Sequence, residues 1–188
     1  NKERPFFVYV PHSMVHVPLY VSDKFKGKSG AGLFGDVMME VDWSVGRILD
    51  TLRKNKLDKN TLVIFMGDNG EALLRGKGTL FDRGTHVPLL IRWPRRVKPG
   101  SSSSALVCCT DLGSTILAAC GMKQLKEMTG VSFLRQLLGE QAEGRQRVFS
   151  ERGWHWGPIT RTDGLDLSRS ITTKRYRYIY NALPNRSY

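Results

Sequence analysis

Two stretches of the chain, 6–10 and 62–66, are apolar without a break. Unbroken apolar runs of this length read as strands buried on both faces, as in a parallel sheet covered by helices. A third run, 87–93, reads as a strand as well. Between the first two, Val37, Val41, Val45, Ile48 and Leu52 recur mostly three or four apart. That spacing predicts a helix from about Asp36, with Asp36 as its N-cap and Lys54 and Lys56 complementing the dipole at the far end. Asp42, inside the helix, reads as a structural carboxylate. Strand, helix, strand in this order predicts a right-handed crossover unit of a parallel sheet.

Farther along, Leu112, Ile116, Leu117 and Cys120 predict a helix over 111–121, ended by Gly121. Residues 131–138 predict a short second helix. From Arg147 the pattern changes, with a strand at 148–150, an aromatic loop at 151–157 that includes His155, and alternation over 168–180. Tyr176, Tyr178 and Tyr180 fall on one face of that last segment, which reads as a hairpin packed through its tyrosines. The expected fold class is therefore α/β, a mostly parallel sheet flanked by helices, with a small C-terminal antiparallel subdomain. The division is expected at 1–145 and 146–188.

Composition narrows the partners. At 188 residues and 40% hydrophobic, the chain is long enough for one α/β domain or a large part of a bigger one. A net charge of +12 suits an anionic partner such as a sulfated or phosphorylated sugar, a nucleic acid or an acidic surface. The basic residues are scattered, however. Their short clusters, Arg95-Arg96-Lys98 and Lys174-Arg175-Arg177, read as solvated surface. Three cysteines, Cys108, Cys109 and Cys120, form neither a zinc spacing nor a CxxC pair, and Cys108 and Cys109 read as small core residues. No secretory signal pattern and no membrane-length apolar run is present.

The candidate chemistry begins at the end of the run 62–66. Asp68, Asn69 and Gly70 follow at once, where open α/β sheets place their ligands. A carboxylate and a carboxamide there offer adjacent hard oxygen donors, and Gly70 allows a sharp turn behind them. The same three residues also make an ordinary turn, and the pattern alone does not choose. Lys77, between Gly76 and Gly78, brings one cation toward the same rim. After the first strand, His12 and His16 stand in a proline-rich loop, either as anion or leaving-group contacts or as exposed histidines.

In order and spacing, the segments 5–18, 35–42, 61–70, 76–79 and 87–94 resemble the sulfatase family, the arylsulfatase-like branch of the alkaline phosphatase superfamily. The resemblance continues from Thr110 to Gly121 and into 169–176. It implies that Asp68 and Asn69 help hold a divalent cation, usually Ca²⁺, which grips sulfate oxygens. It implies that Lys77 binds the sulfate and that His16 helps protonate the departing alcohol. The implied nucleophile is a formylglycine made from a Cys/Ser-x-Pro-x-Arg motif, which none of the three cysteines fits. The aspartate pair that completes the metal site in the family is expected upstream of Asn1, so the chain is expected to be a carboxyl-terminal half, inactive alone. His86 stands where the family commonly has arginine.

The family further implies a sulfated small molecule or sulfated glycan as substrate, and a lysosomal, secreted or periplasmic setting. Asn185-Arg186-Ser187 is a glycosylation sequon. Two other functions fit parts of the sequence. One is a phosphatase or phosphodiesterase of the same superfamily, although Gly67 and Gly70 offer no metal-binding side chains beside Asp68. The other is a non-catalytic polyanion-binding protein. Nucleic-acid binding is not expected.

Overall fold

The helix expected from about Asp36 starts four residues earlier: α1 spans Gly32–Lys54. The structure is a computed structural model that describes residues 3–154 and 165–184. Ala31 caps α1 without a side-chain hydrogen bond. Asp36 is therefore not the N-cap; it is buried inside the helix, and its carboxylate accepts the backbone N–H groups of Gly27 (2.7 Å) and Ser29 (2.8 Å). Those bonds, Ser29's first, hold its carboxyl below the usual range. The preceding loop is thus tied to the helix, and Phe25 stacks tilted against Trp43 while the Lys24 ammonium sits 3.9 Å from the Trp43 ring centre. Asp42, within α1, is exposed.

The chain divides into two compact units, residues 1–62 with 93–95 and residues 63–92 with 96–188. In the first unit α1 is followed by a short 3₁₀ turn, Asp58–Asn60. Residues 6–10 do not form the expected strand. Their side chains are 45–77% exposed, and no described strand pairs with them. An all-apolar strand needs neighbours at both edges and layers on both faces, and the described residues supply neither.

In the second unit the central run forms β1 (Val63–Met66), and the run 87–93 forms β2 (Leu89–Arg92). They pair antiparallel, Val63 opposite Arg92 and Met66 opposite Leu89. The parallel crossover is thus absent among the described residues: residues 67–88 carry only the one-turn helix α2 (Asp82–Thr85), and the chain doubles back beside β1. Nor is β1 buried on both faces, since Phe65 is exposed.

Helix α3 (Cys109–Ala119) and the single turn α4 (Leu134–Leu137) pack around one buried carboxylate. Asp111, 1% exposed, reaches back to the Cys108 N–H (2.9 Å), accepts the Val131 N–H (2.7 Å) and receives two guanidinium bonds from Arg145 (2.7 and 2.5 Å). Cys109 and Cys120 are exposed and Cys108 half-buried, so the cysteines are not the core positions expected. Gly121 follows the helix in the left-handed region.

The C-terminal region extends beyond a hairpin. Strands β3 (Val148–Trp154), β4 (Leu165–Thr172) and β5 (Arg177–Asn181) form an antiparallel sheet in that order. The segment expected as an aromatic loop begins inside β3, and His155 and the sequon lie outside the described residues. A β-bulge between Arg152 and Trp154 interrupts the β3–β4 register. Tyr176, Tyr178 and Tyr180 are exposed rather than packed. Arg177 departs from its expected surface role: its side chain is 18% exposed and fully engaged.

Candidate active site

The loop from Gly67 to Pro88 is knitted through backbone atoms. The Gly67 N–H extends the β1–β2 ladder to the Pro88 carbonyl (3.0 Å), so the chain leaves β1 in register and turns at Asp68 and Asn69. The Glu71 carbonyl then accepts both the Leu73 N–H (2.8 Å) and the Lys77 N–H (2.7 Å). That folds Lys77 back onto the segment just beyond Asn69. The Glu71 carboxylate pairs with the Arg83 guanidinium, a second tie across the loop.

Three glycines make this closure possible. A Cβ on Gly70 would lie 2.0 Å from the Arg83 carbonyl oxygen, one on Gly76 2.1 Å from that of Glu71, and one on Gly84 2.4 Å from that of Thr79. All three contacts are with backbone, which cannot swing aside. No other residue fits without opening the loop.

On this scaffold Asp68 is exposed, while Asn69 and Lys77 are half-buried. Among the described residues, no hydrogen bond or ion pair engages the side chains of these three. Neighbouring charges, by contrast, are paired: Asp82 with Arg177 (3.2 Å) and, weakly, with His86 (3.4 Å). Two hard oxygens and one ammonium are thus carried by a single backbone knot with their polar groups unspent. Asp68 and Asn69 fit two positions of an oxygen-coordinated cation such as Ca²⁺, which takes six to eight ligands. No cluster of three or more His, Cys, Asp or Glu side chains completes a metal site among the described residues.

His16 belongs to the first unit. Its Nδ1–H donates to the Val17 carbonyl (2.6 Å), which leaves Nε2 of the exposed ring for a proton or a ligand. His12 is spent differently, its Nε2 3.0 Å from the Ser44 hydroxyl on α1.

The sulfatase family model matches residues 1–122, a span that contains β1, the knotted loop and His16. The chain belongs to the sulfatase family. A second model, N-sulphoglucosamine sulphohydrolase, C-terminal, matches residues 70–185 and brings the C-terminal sheet into the same family. An N-acetylgalactosamine-6-O-sulfatase from Bacteroides thetaiotaomicron is 32% identical over 174 residues, covering 80% of this chain and 34% of the relative. The dog N-acetylgalactosamine-6-sulfatase is 35% identical over 166 residues, covering 80% of this chain and 32% of the relative. A solved Bacteroides thetaiotaomicron sulfatase structure, described in connection with the metabolism of multiple glycosaminoglycans, superposes with a TM-score of 0.79. It is 28% identical and covers 95% of this chain and 39% of its own. The fold is thus the alkaline-phosphatase-like fold of sulfatases, of which the chain holds a part. It spans about a third of the length of the relatives it matches.

Sequence reasoning missed the residues that hold the site together. Glu71 and Arg83 carried no motif, and Arg177 lay within a basic cluster. The available signal was glycine spacing, since Gly70, Gly76 and Gly84 mark where backbone meets backbone.

Proposed function

We propose that the chain supplies one wall of the active site of a sulfuric ester hydrolase acting on a sulfated glycan or small sulfate ester. In this reading residues 1–145 belong to the catalytic α/β body and 146–188 to a small antiparallel subdomain. The observation that carries it is the set of unspent polar side chains, Asp68, Asn69 and Lys77, on one glycine-closed knot of a sulfatase-family chain.

Asp68 and Asn69 would hold the calcium ion, which supplies positive charge to sulfate oxygens when bound. Lys77 places an ammonium against the sulfate and neutralises charge that builds as the S–O bond breaks. His16, its Nδ1–H anchored on Val17, delivers a proton from Nε2 to the departing alkoxide. None of the cysteines present fits the formylglycine motif, so no step of nucleophilic attack is assigned to these 188 residues. The names of the relatives direct the substrate toward 6-sulfated N-acetylhexosamines, and the family setting is lysosomal, secreted or periplasmic.

The test is hydrolysis of a 6-sulfated N-acetylhexosamine by the full-length enzyme, with calcium content measured alongside. Asp68→Ala is expected to lose bound calcium and activity together, because it removes a charged oxygen ligand. Full calcium content with full activity in Asp68→Ala would overturn the assignment.

A further inference from the structure

The backbone of Lys77 is tied on one side to the Glu71 carbonyl. On its other side the chain enters a tight turn, in which the Thr79 N–H (3.1 Å) and hydroxyl (2.8 Å) both bond the Gly76 carbonyl. Leu80 follows, buried, and its carbonyl accepts a bond from Arg177 on β5 (3.1 Å). We propose that Arg177 is a positioning residue for Lys77, through which the C-terminal sheet holds the sulfate contact in place. The proposal rests on the hydrolase reading above and gives the C-terminal sheet a part in that same site.

The geometry of the guanidinium is the first support. Each of its nitrogens is spent on a different acceptor. Nε donates to the Thr172 hydroxyl (3.0 Å), directly opposite on β4, Nη1 to the Leu80 carbonyl and Nη2 to the Asp82 carboxylate (3.2 Å). Thr172 aims the fork from the sheet, and Leu80 and Asp82 receive it on the loop. A planar fork fixes three acceptors relative to one another, which the single point charge of a lysine cannot do.

Burial decides which of these bonds carries the clamp. The Asp82 side chain is 73% exposed, so its ion pair is screened and contributes little. The Arg177 side chain is 18% exposed and Leu80 is buried, so losing their bond would strand a carbonyl away from water. Between Leu80 and Lys77 there is little slack. The Thr79 turn closes the segment, and Gly84 presses on it so closely that a Cβ there would meet the Thr79 and Gly76 carbonyl oxygens at 2.4 and 2.6 Å. A shift at Leu80 is therefore passed to Lys77. Displacing a group in contact with the reacting atoms by about 1 Å costs up to about 10²-fold in rate.

The test is a double-mutant cycle in the full-length enzyme, with kcat and KM measured on a sulfate ester for Arg177→Ala, Lys77→Ala and the two combined. Backbone hydrogen exchange over residues 71–80 and melting temperature are followed alongside. Arg177→Ala is expected to lower kcat by about 10–100-fold with KM little changed, and exchange over 71–80 should quicken while β1 and β2 keep their protection. Added to Lys77→Ala, it should cost less than about threefold more, because the two residues act as a unit. Asp82→Asn, which leaves the Leu80 bond in place, should stay within about threefold of wild type.

A wild-type kcat in Arg177→Ala, or losses that multiply in the double variant, would overturn the proposal. A loss in Asp82→Asn as large as that in Arg177→Ala would overturn the assignment to the Leu80 carbonyl. Should Arg177→Ala melt early, Arg177→Lys carries the test, since it keeps the charge and most of the packing but not the fork. It is expected to lower kcat at wild-type stability, again without adding to Lys77→Ala, and a wild-type kcat counts against the clamp. If the wild-type enzyme cleaves no sulfate ester, or Lys77→Ala is as fast as wild type, the hydrolase reading fails separately. Exchange over 71–80 then decides the clamp, with faster exchange in the Arg177 variant in its favour and unchanged exchange against it.

Discussion

At the residue scale, the account turns on which charges are spent. Arg177, Asp82, Glu71 and Arg83 are committed to one another or to backbone, whereas Asp68, Asn69 and Lys77 are left to act on something else. His16 differs from these three because the role proposed for it depends on the leaving group. A proton matters for an alkoxide of high pKa and little for a nitrophenolate. His16→Ala is expected to lower kcat for a sugar sulfate strongly and to leave 4-nitrophenyl sulfate nearly unaffected. Equal losses on the two esters would reduce His16 to a sulfate contact. Asp68, Asn69, Lys77 and His16 became candidates in the sequence because motif order marks them, and the structure adds that the first three share one loop with their side chains unspent. Their supporting residues did not become candidates, because a carbonyl acceptor such as that of Glu71 leaves no trace in side-chain chemistry.

At the element scale, periodicity gave the existence of β1, β2, α1 and α3 but not their relations. An apolar run says that a strand is buried, not which way its neighbour points, and β1 and β2 proved antiparallel. Asp36 shows the same limit. Its place before an apolar stripe reads as a cap, yet the carboxylate serves the loop behind it. The knotted loop yields two predictions. Gly84→Ala puts a Cβ against backbone oxygens at 2.4 and 2.6 Å, and is expected to cost about 1–3 kcal/mol, read as a lowered melting temperature. Arg83→Ala removes a tie whose two side chains are both about half exposed, so stability should change by less than about 1 kcal/mol. Its activity should fall nonetheless, because the tie helps hold Lys77 relative to Asn69. A melt unchanged and kinetics also unchanged would show that the backbone bonds suffice.

At the scale of the whole molecule, the chain exposes 14465 Å², against about 9,100 Å² for a self-contained folded chain of 21.3 kDa. Residues 6–10 and the tyrosine face of β5 are part of that excess. Such surface fits a chain that holds about a third of a sulfatase fold, and the 188 residues alone are expected to show no turnover of an arylsulfate, even with calcium and a formylglycine-generating enzyme present. Protein-dependent hydrolysis by the pure chain would refute this. The Asp111 hub has its own signature. Burial pushes its carboxyl up, but the Arg145 guanidinium and the N–H groups of Val131 and Cys108 outweigh burial and hold it below the usual range. A lowered folded pKa contributes stability that is present above the unfolded value of about 3.9 and is lost as pH falls through the folded one. Wild type should therefore lose stability below about pH 4 more steeply than Asp111→Asn, which has no carboxylate to titrate. Parallel acid-denaturation profiles would contradict the hub.

The most direct measurement is the kcat of Lys77→Ala in the full-length enzyme on a sulfate ester, compared with Lys98→Ala from the serine-rich surface loop. A lysine that neutralises charge developing on the sulfuryl group is worth about 10²–10³-fold in kcat, whereas an exposed lysine contributes little because solvent and salt screen it. The expected result is a fall of that size for Lys77→Ala, at an unchanged melting temperature, with Lys98→Ala at the wild-type rate. A Lys77→Ala enzyme as fast as wild type, or two variants equally slowed, would contradict the account.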